Sequence, residues 1–331
     1  MVDTGTNRRF RWSAARSGLC WAIAAGCAGW ALVRLLDVDR GPLVQLLAFT
    51  PYATVGALSG AALLLVLRRW RAAALAGAAA VALVVLVLPR GLTDTQPAAT
   101  TGRTVRLLTA NLWLGGADPA ALVGLVRDNR VDVLTVQEFT PAVAAALDRS
   151  GLAELLPYRE LNPEVGSTGS GLYARFPLTA GGVRRNGGGF GFSQAYGTIE
   201  VPGGPPVTVE SAHPAAPYAL SQVDDWRADL AAEPAATPDG ALRVLAGDFN
   251  STLDHAPLRA LIATGYADAA DRAGAGWRGT WGPYDGDPIP PVTIDHVLVD
   301  RRIAVRAVAV RPLAGSDHRA VLADLALPAA P

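Results

Sequence analysis

Three long apolar runs, each fenced by arginines, fill the first ninety residues of this 331-residue chain. Between Arg16 and Arg34 lie 17 uncharged residues, between Arg40 and Arg68 lie 27, and between Arg71 and Arg90 lie 18. A helix rises about 1.5 Å per residue and a bilayer core is about 30 Å thick, so each run can cross, the first and third barely. The third run, AAALAGAAAVALVVLVLP, has no polar face at any helical period, which argues against an amphipathic surface helix. The second holds Gln45 and Pro51, tolerable where neighbouring helices cover the freed backbone groups. The pattern predicts a membrane anchor over residues 1–90 with three transmembrane helices, at about 17–36, 42–67 and 72–89. A cleaved signal peptide over residues 8–36 would leave two further runs unexplained, and no small-residue cleavage site precedes an evident mature start. Cys20 and Cys27, seven residues apart on one helix face, read as small packing residues.

Charge sets the expected orientation. The chain has no lysine, so all 29 basic residues are arginine, and the formal net charge of zero averages two unlike halves. Residues 1–90 carry ten Arg against three Asp, a net +7, whereas residues 91–331 carry 19 Arg against 26 acids, a net −7. Seven arginines lie in the N-terminal tail and the Arg68–Arg71 loop, against Arg34, Arg40 and Arg90 on the other side. The positive-inside bias makes this a multi-pass protein of the cell membrane, its N-terminus cytoplasmic and everything after Arg90 extracytoplasmic. Both cysteines fall in the anchor, which excludes a disulfide framework or a Cys-based zinc site beyond it.

Residues 91–103 (GLTDTQPAATTGR) are small, polar and aperiodic and read as a linker. From 104 to 331, β-rich runs alternate with helical ones. Val105–Asn111, Asp132–Glu138, Val207–His213, Arg243–Asp248, Ile294–Asp300, Val305–Val310 and Ala320–Leu325 predict strands. Pro119–Asn129, Pro141–Arg149, Leu220–Ala232 and Pro257–Ala263 predict helices, three of them opening on Pro. Gly-rich turns such as Gly187–Gly191 separate further short strands. The alternation means an α/β domain with helices covering sheets.

The residues able to do chemistry collect at strand ends. All four histidines, His213, His255, His296 and His318, lie in the second part, each at a strand end or beside an acid. Asn111, Glu138, and Asp248 with Asn250 close three of the predicted strands. Open α/β folds place their sites at such ends. Oxygen donors without thiolates suit a hard divalent cation, Mg2+ with Mn2+ as the alternative, better than zinc. Taken singly, a strand-end Asn or Asp is a turn or a helix cap.

Taken in order, the segments ANL, QE, SAHP, GDFN, IDHV and SDHR resemble the endonuclease/exonuclease/phosphatase superfamily. The resemblance covers about Val105 to Leu325 and implies a four-layer α/β sandwich (DNase I-like) of metal-dependent phosphoesterases. It implies Glu138 as the main metal ligand, with Asn111 beside it and Asp317 adding to the metal environment. It implies that Asp248 orients or deprotonates the attacking water and that Asn250 donates to a non-bridging phosphate oxygen. His318 would contact the phosphate and assist proton transfer, with Asp295 on its other ring nitrogen, while His213 clamps the phosphate from the opposite side. That division meets what phosphate hydrolysis needs: neutralised equatorial charge, a positioned in-line water and a protonated leaving group. His255, Trp281, His296 and Arg319 stand as candidate substrate contacts, although His255 also reads as a helix cap and Asp295–His296 as a structural pair. Glu210, three residues before His213 and so on the opposite strand face, is no partner for it. Thr293 stands where the family often has Arg, a place that Arg278 or Arg319 could fill.

Fold class does not decide which ester is cut. A net charge of −7 without a basic stripe argues against duplex nucleic acid as a partner. A domain held beside a lipid bilayer meets phosphorylated lipids, and Phe190, Phe192, Trp277 and Trp281 offer apolar groups to such an interface. Three spans followed by an outward domain resemble the VanJ-type membrane proteins of teicoplanin resistance. That resemblance implies hydrolysis of undecaprenyl pyrophosphate at the outer face of the membrane, in cell-envelope recycling. The competing readings are an extracytoplasmic endonuclease or nucleotide phosphatase, and a non-catalytic scaffold or receptor. A binding module, however, has no need of Glu138 and Asp248 together.

Overall fold

The structure, a computed structural model, describes residues 4–94, 102–187, 191–282 and 288–329, with side chains from residue 15 onward. It divides into two compact units, Met1–Pro89 and Arg90–Pro331.

The first unit is helical: α1 (Thr4–Leu35), α2 (Leu43–Leu47), α3 (Thr50–Val66) and α4 (Trp70–Val87). Its helices meet through small residues, which let backbones approach closely. Ala72, Ala73 and Ala76 of α4 cluster with Cys20 and Ala24 of α1 and with Ala61 and Leu64 of α3, and Cys27 packs beside them. Both cysteines are free, in keeping with a packing role. Other faces are bare hydrocarbon: Leu19, Val55, Val66, Val81 and Val85 are 62–79 % exposed.

Among the described residues, two helices, Ala15–Leu35 and Trp70–Gly91, are long and apolar enough to cross a membrane. The expected second span differs. Its apolar run folds as α2 and α3 with a break at Ala48–Phe49. The 17 residues of α3 reach about 26 Å, short of a hydrocarbon core. Pro51 explains the break, because it has no N–H to donate to the Leu47 carbonyl. The Thr50 hydroxyl donates there instead, at 2.7 Å, and accepts from Trp30 Nε1 at 3.2 Å.

The second unit begins with β1 (Thr104–Asn111), α5 (Pro119–Asp128), β2 (Val133–Gln137), α6 (Pro141–Arg149), α7 (Leu152–Leu155), β3 (Tyr158–Asn162) and β4 (Ser170–Ala174). It continues through β5 (Leu178–Arg185), β6 (Ser193–Ile199), β7 (Val207–Ala212), α8 (Val223–Ala232), β8 (Leu242–Asp248), α9 (Ala256–Ala263), β9 (Tyr266–Asp268) and α10 (Ala269–Arg272). It closes with β10 (Asp295–Asp300), β11 (Ala304–Pro312) and β12 (Arg319–Ala326).

These strands form two six-stranded sheets, ordered β11-β12-β1-β2-β4-β3 and β5-β6-β7-β8-β10-β9. Each sheet has a parallel pair at its centre, β1 with β2 and β7 with β8. Parallel neighbours need a crossover, which α5 supplies in one sheet and α8 in the other. Side-chain alternation along β1 separates two cores. Leu107 lies between the sheets with Val133, Val209, Val244, Val297 and Val321. Its neighbour Leu108 lies under the helices with Leu122, Val126, Leu134, Val143 and Leu147. Asp118 and Thr140 cap α5 and α6 by accepting backbone N–H groups, with Pro119 and Pro141 in the first turns.

Polar ties cross between the sheets and bring the strand ends together. Gln137 Nε2 donates to Ser211 Oγ at 2.8 Å, and Thr135 Oγ1 donates to the Ala246 carbonyl at 3.1 Å. Gly247 permits the close approach of β8 to β7, since a Cβ there would lie 1.9 Å from the Ala212 carbonyl oxygen. The expected linker starts docked on the domain: Thr93 bridges Ala273, and the Asp94 N–H donates to the Arg272 carbonyl. Residues 95–101 of that linker lie outside the described residues.

Candidate active site

Both sheets contribute to one cluster. Asn111 ends β1 and Glu138 follows β2 in the first sheet, with Asp317 and His318 just before β12. In the second sheet Asp248 ends β8 directly opposite Asp295, the first residue of β10, and His213 follows β7.

Asp248 is the hub. Its Oδ2 accepts from Asn111 Nδ2 at 3.0 Å and lies 3.7 Å from His318 Nε2 and 3.9 Å from His213 Nε2. Asn111 Nδ2 also donates to Glu138 Oε1 at 3.2 Å. His318 Nδ1 is held by Asp295 Oδ2 at 2.9 Å, which turns Nε2 toward Asp248 and, at 3.9 Å, Asp317 Oδ1. Asn250 stands beside this group, its Nδ2 donating to the Pro214 carbonyl at 3.1 Å. The structure thus gathers Asn111, Glu138, His213, Asp248, Asn250, Asp295, Asp317 and His318.

The backbone here is strained. Trp113, Leu114, Glu138 and Asn250 have φ of 46–54° although none is glycine. That conformation costs an L-residue about 1–2 kcal/mol. Acceptors of the site hold three of the four: Asn111 Oδ1 takes the Trp113 N–H at 2.9 Å, Glu138 Oε2 the Leu114 N–H at 2.6 Å, and Asp248 Oδ1 the Asn250 N–H at 2.8 Å.

Burial dominates the electrostatics. It pushes Asp248 up to about 7, against the nearby His318 and helped by Asp295. Glu138 is raised for the same reason, opposed by the Leu114 and Asn111 hydrogen bonds. Burial alone would lower His318, but Asp295 and Asp248 lift it to about 10. Burial and the charge on His318 take His213 down to about 3, so it is neutral. Among the described residues carboxylates outnumber cationic groups here, and Asp295 Oδ1 and Asp317 Oδ1 are buried without a hydrogen-bond donor. Ligand atoms of Asp248, Asp295 and His318 lie within 4.8 Å of one another. An excess of buried acceptor oxygens fits a hard divalent cation. The expected ligands Glu138 and Asp317 lie beside this group, Glu138 sharing the Asn111 amide with Asp248 and Asp317 Oδ1 standing 3.9 Å from His318 Nε2. Asn111, expected beside the metal, accepts the Trp113 N–H on Oδ1 and turns its NH2 to Glu138 and Asp248.

Other candidate contacts are hydrogen-bonded within the protein. His255 Nδ1 accepts from the Thr252 N–H at 2.8 Å, and its ring lies edge-on to Trp226. His296 is buried with Nδ1 on Asp268 Oδ2 at 2.6 Å and Nε2 on the Ser251 carbonyl at 2.8 Å. With both ring nitrogens engaged, His296 cannot reach a substrate. Arg319 Nη1 donates to the Gly282 carbonyl at 2.6 Å, and Trp281 Nε1 donates to Asp317 Oδ2 at 3.0 Å. Thr293 turns its hydroxyl to the Arg278 carbonyl. Phe192 is buried against the His213 ring rather than exposed, Trp277 is exposed, and Phe190 lies outside the described residues.

Several shaping residues escape the sequence pattern. Ser316 Oγ donates to the Asn111 carbonyl at 2.8 Å and accepts the His318 N–H at 3.0 Å. It is the serine of SDHR and could have been found there. Thr280 Oγ1 accepts the N–H groups of Ile294 and Asp295, and Gln194 and Asn186 hold the main chain of His213. Their partners are distant in sequence, so no local signal marks them.

The model of the Endonuclease/Exonuclease/phosphatase family matches residues 108–318. No curated protein matches the chain. Among solved structures, an endonuclease/exonuclease/phosphatase from Beutenbergia cavernae is 21 % identical, with 68 % of this chain and 72 % of that one covered and a TM-score of 0.53. A humanized D. rerio TDP2 is 16 % identical over 67 % of this chain and 98 % of its own, with a TM-score of 0.56. A Bacteroides thetaiotaomicron mannosyl-6-phosphatase is 14 % identical over 67 % and 100 %, with a TM-score of 0.51. At such identities the likeness is one of fold. The family match spans more than half of the sequence and contains, within two packed sheets, the acids, amides and histidines gathered above. This chain belongs to the Endonuclease/Exonuclease/phosphatase family.

Proposed function

We propose that this protein is a membrane-anchored, extracytoplasmic phosphoesterase that uses Mg2+, or Mn2+, to hydrolyse a lipid phosphate, with undecaprenyl pyrophosphate as the specific substrate. The observation that carries the reading is the cluster of buried oxygens with acceptors left over at Asp295 and Asp317. A bound cation supplies neutralisation of phosphate charge and a more acidic water. The chain's own residues divide the remaining work. Asp248 orients the attacking water and accepts its proton. His318, charged and held by Asp295, donates toward the phosphate and the leaving oxygen. Asn250 and the neutral His213 contact the phosphate from the other side. Asn111 fixes the separation of Glu138 and Asp248.

A lipid substrate is supported by the exposed apolar faces of the first unit and by the net charge of −7 beyond residue 90, which disfavours nucleic acid. In this reading α2 and α3 make the middle crossing in tandem, and the arginine bias sets the N-terminus in the cytoplasm. A role in envelope recycling and teicoplanin resistance rests on the sequence resemblance.

The test is phosphate release by the full chain in detergent with Mg2+ from undecaprenyl pyrophosphate, single- and double-stranded DNA and nucleotides, with Asp248→Ala and His318→Ala as controls. Release from the lipid alone supports the proposal. DNA cleavage of comparable efficiency overturns the substrate assignment, and silence on every ester favours a scaffold. A phosphatase reporter fused after Leu325 should be active; an inactive fusion overturns the topology.

A further inference from the structure

Strand β7 ends at Ala212, so His213 leaves the sheet with an N–H and a carbonyl that the β7–β8 ladder does not take. Two buried amides take them. Gln194 Oε1 accepts the His213 N–H at 2.5 Å, and Asn186 Nδ2 donates to the His213 carbonyl at 3.3 Å. Gln194 is fully buried and Asn186 nearly so.

Donor and acceptor rules fix the orientation of Gln194. A backbone N–H only donates, so the amide must present its oxygen there and its NH2 to acceptors. Two acceptors wait: Asn186 Oδ1 and Glu233 Oε1, each at 2.9 Å. Behind them Arg184 secures the assembly. Its Nη1 donates to Asn186 Oδ1 at 3.0 Å, its Nη2 to Glu233 Oε2 at 2.7 Å and its Nε to Glu210 Oε1 at 2.8 Å. The network runs from the end of α8 through β5 and β6 to the backbone of His213.

The imidazole itself has no comparable support. Among the described residues its Nδ1 is buried without a hydrogen-bond partner, and its Nε2 lies 3.9 Å from Asp248. Phe192 packs edge-on, ring centroids 4.6 Å apart. The ring therefore takes its place from its main chain and from packing.

We propose that Gln194 is a positioning residue: anchored on Glu233 and Asn186, it fixes the His213 main chain and thereby aims the imidazole at the space beside Asp248. The proposal rests on the catalytic reading of His213 given above. Gln194→Met keeps the side-chain length and deletes all three hydrogen bonds. With bis(p-nitrophenyl) phosphate and Mg2+, kcat/KM should fall about 10- to 100-fold, as misplacement of a reacting group does.

Two readouts separate positioning from mere stability. The chain has four histidines, so 13C labelling at histidine Cε1 gives four ring signals, and His213→Ala identifies one of them. Gln194→Met should shift or broaden that signal and spare the others. In the His213→Ala background, Gln194→Met should cost nothing further in kcat/KM. An unmoved His213 signal, or a penalty that multiplies in full onto His213→Ala, overturns the proposal. The ring signals need no turnover, so an enzyme silent on every ester refutes the catalytic reading while they still decide whether Gln194 holds His213. Should Gln194→Met not fold, Gln194→Asn withdraws the oxygen by one methylene and serves both readouts.

Discussion

Replacing Arg90 by methionine takes a bidentate guanidinium from a buried carboxylate. Arg90 Nη1 and Nη2 each donate to one oxygen of Asp254 at 2.7 Å, and the two side chains are 7 % and 0 % exposed. A hydrogen bond to a charged group contributes about 1.5–3 kcal/mol, so the fork of two comes to about 3–6 kcal/mol. Independently, removing one member of a buried pair costs about 3–5 kcal/mol, because the other charge stays buried without that counter-charge. For a domain of this size that is a fall in Tm of about 6–20 °C. The double variant Arg90→Met with Asp254→Leu should recover most of the loss, since apolar replacement of both partners is near neutral. Thermal melting of the full chain in detergent, followed by near-ultraviolet circular dichroism, measures both. A single-variant drop under about 3 °C, or a double variant no better than the single one, would refute the claim that Asp254 depends on Arg90.

Four more outcomes are expected. Asp248→Ala and His318→Ala should each lower phosphate release by about 10²–10⁴-fold, and Asp248→Ala should leave Tm unchanged or raised, because burial disfavours that charge; a large loss of Tm would contradict this. EDTA should abolish turnover, while Mg2+ at a hundredfold excess over its Kd should stabilise the fold by about 2.7 kcal/mol, read as a rise in Tm that no monovalent salt reproduces. Burial, then Glu210, lifts Glu233 from 4.5 to about 8, so the folded state keeps a proton that the unfolded chain has released. Stability should therefore fall as pH rises from about 4.5 to 8, by at most about 1.4 kcal/mol per pH unit from this group. Urea midpoints should show it, and an equal slope in Glu233→Gln would count against it. Gly247→Ala should destabilise by about 1–3 kcal/mol or more through its clash with Ala212, measured in the same urea titrations.

The central pair of each sheet was legible, as was the edge strand β11, whereas the edges β3, β5 and β9 and the interior strands β4 and β6 were not. Strands β1, β2, β7, β8, β10, β11 and β12 are runs of β-branched and apolar residues, so their ends, and the acids standing there, follow from pattern alone. The edge strand β5 (LTAGGVRR) is mostly solvated and glycine-bearing, and β3 (YRELN) is polar, so neither announces itself. Sequence neighbours did not identify the ring partners of two histidines. His255 and His296 follow Asp254 and Asp295, yet Thr252 and Asp268 are the residues their rings engage. Arg90 looks like the polar border of an apolar run, but its partner lies 164 residues away. The split of the second apolar run came from Pro51, which the composition of the run outweighed and the missing N–H did not.

The second sheet is an insertion inside the first. The chain lays down β1 to β4, builds the whole of the other sheet from β5 to β10, and only then returns with β11 and β12 to pair Ala326 against Thr104. Asp317 and His318 arrive on that return, and Ser316 then closes on Asn111 across 205 residues. Contacts so distant form late and slowly. A nascent chain that has not yet delivered β12 has Glu138, His213 and Asp248 but lacks His318, the ring that Asp295 holds. The candidate site is therefore complete only once the last strand of the chain has paired with the first, so an assembled cluster marks closure of the first sheet.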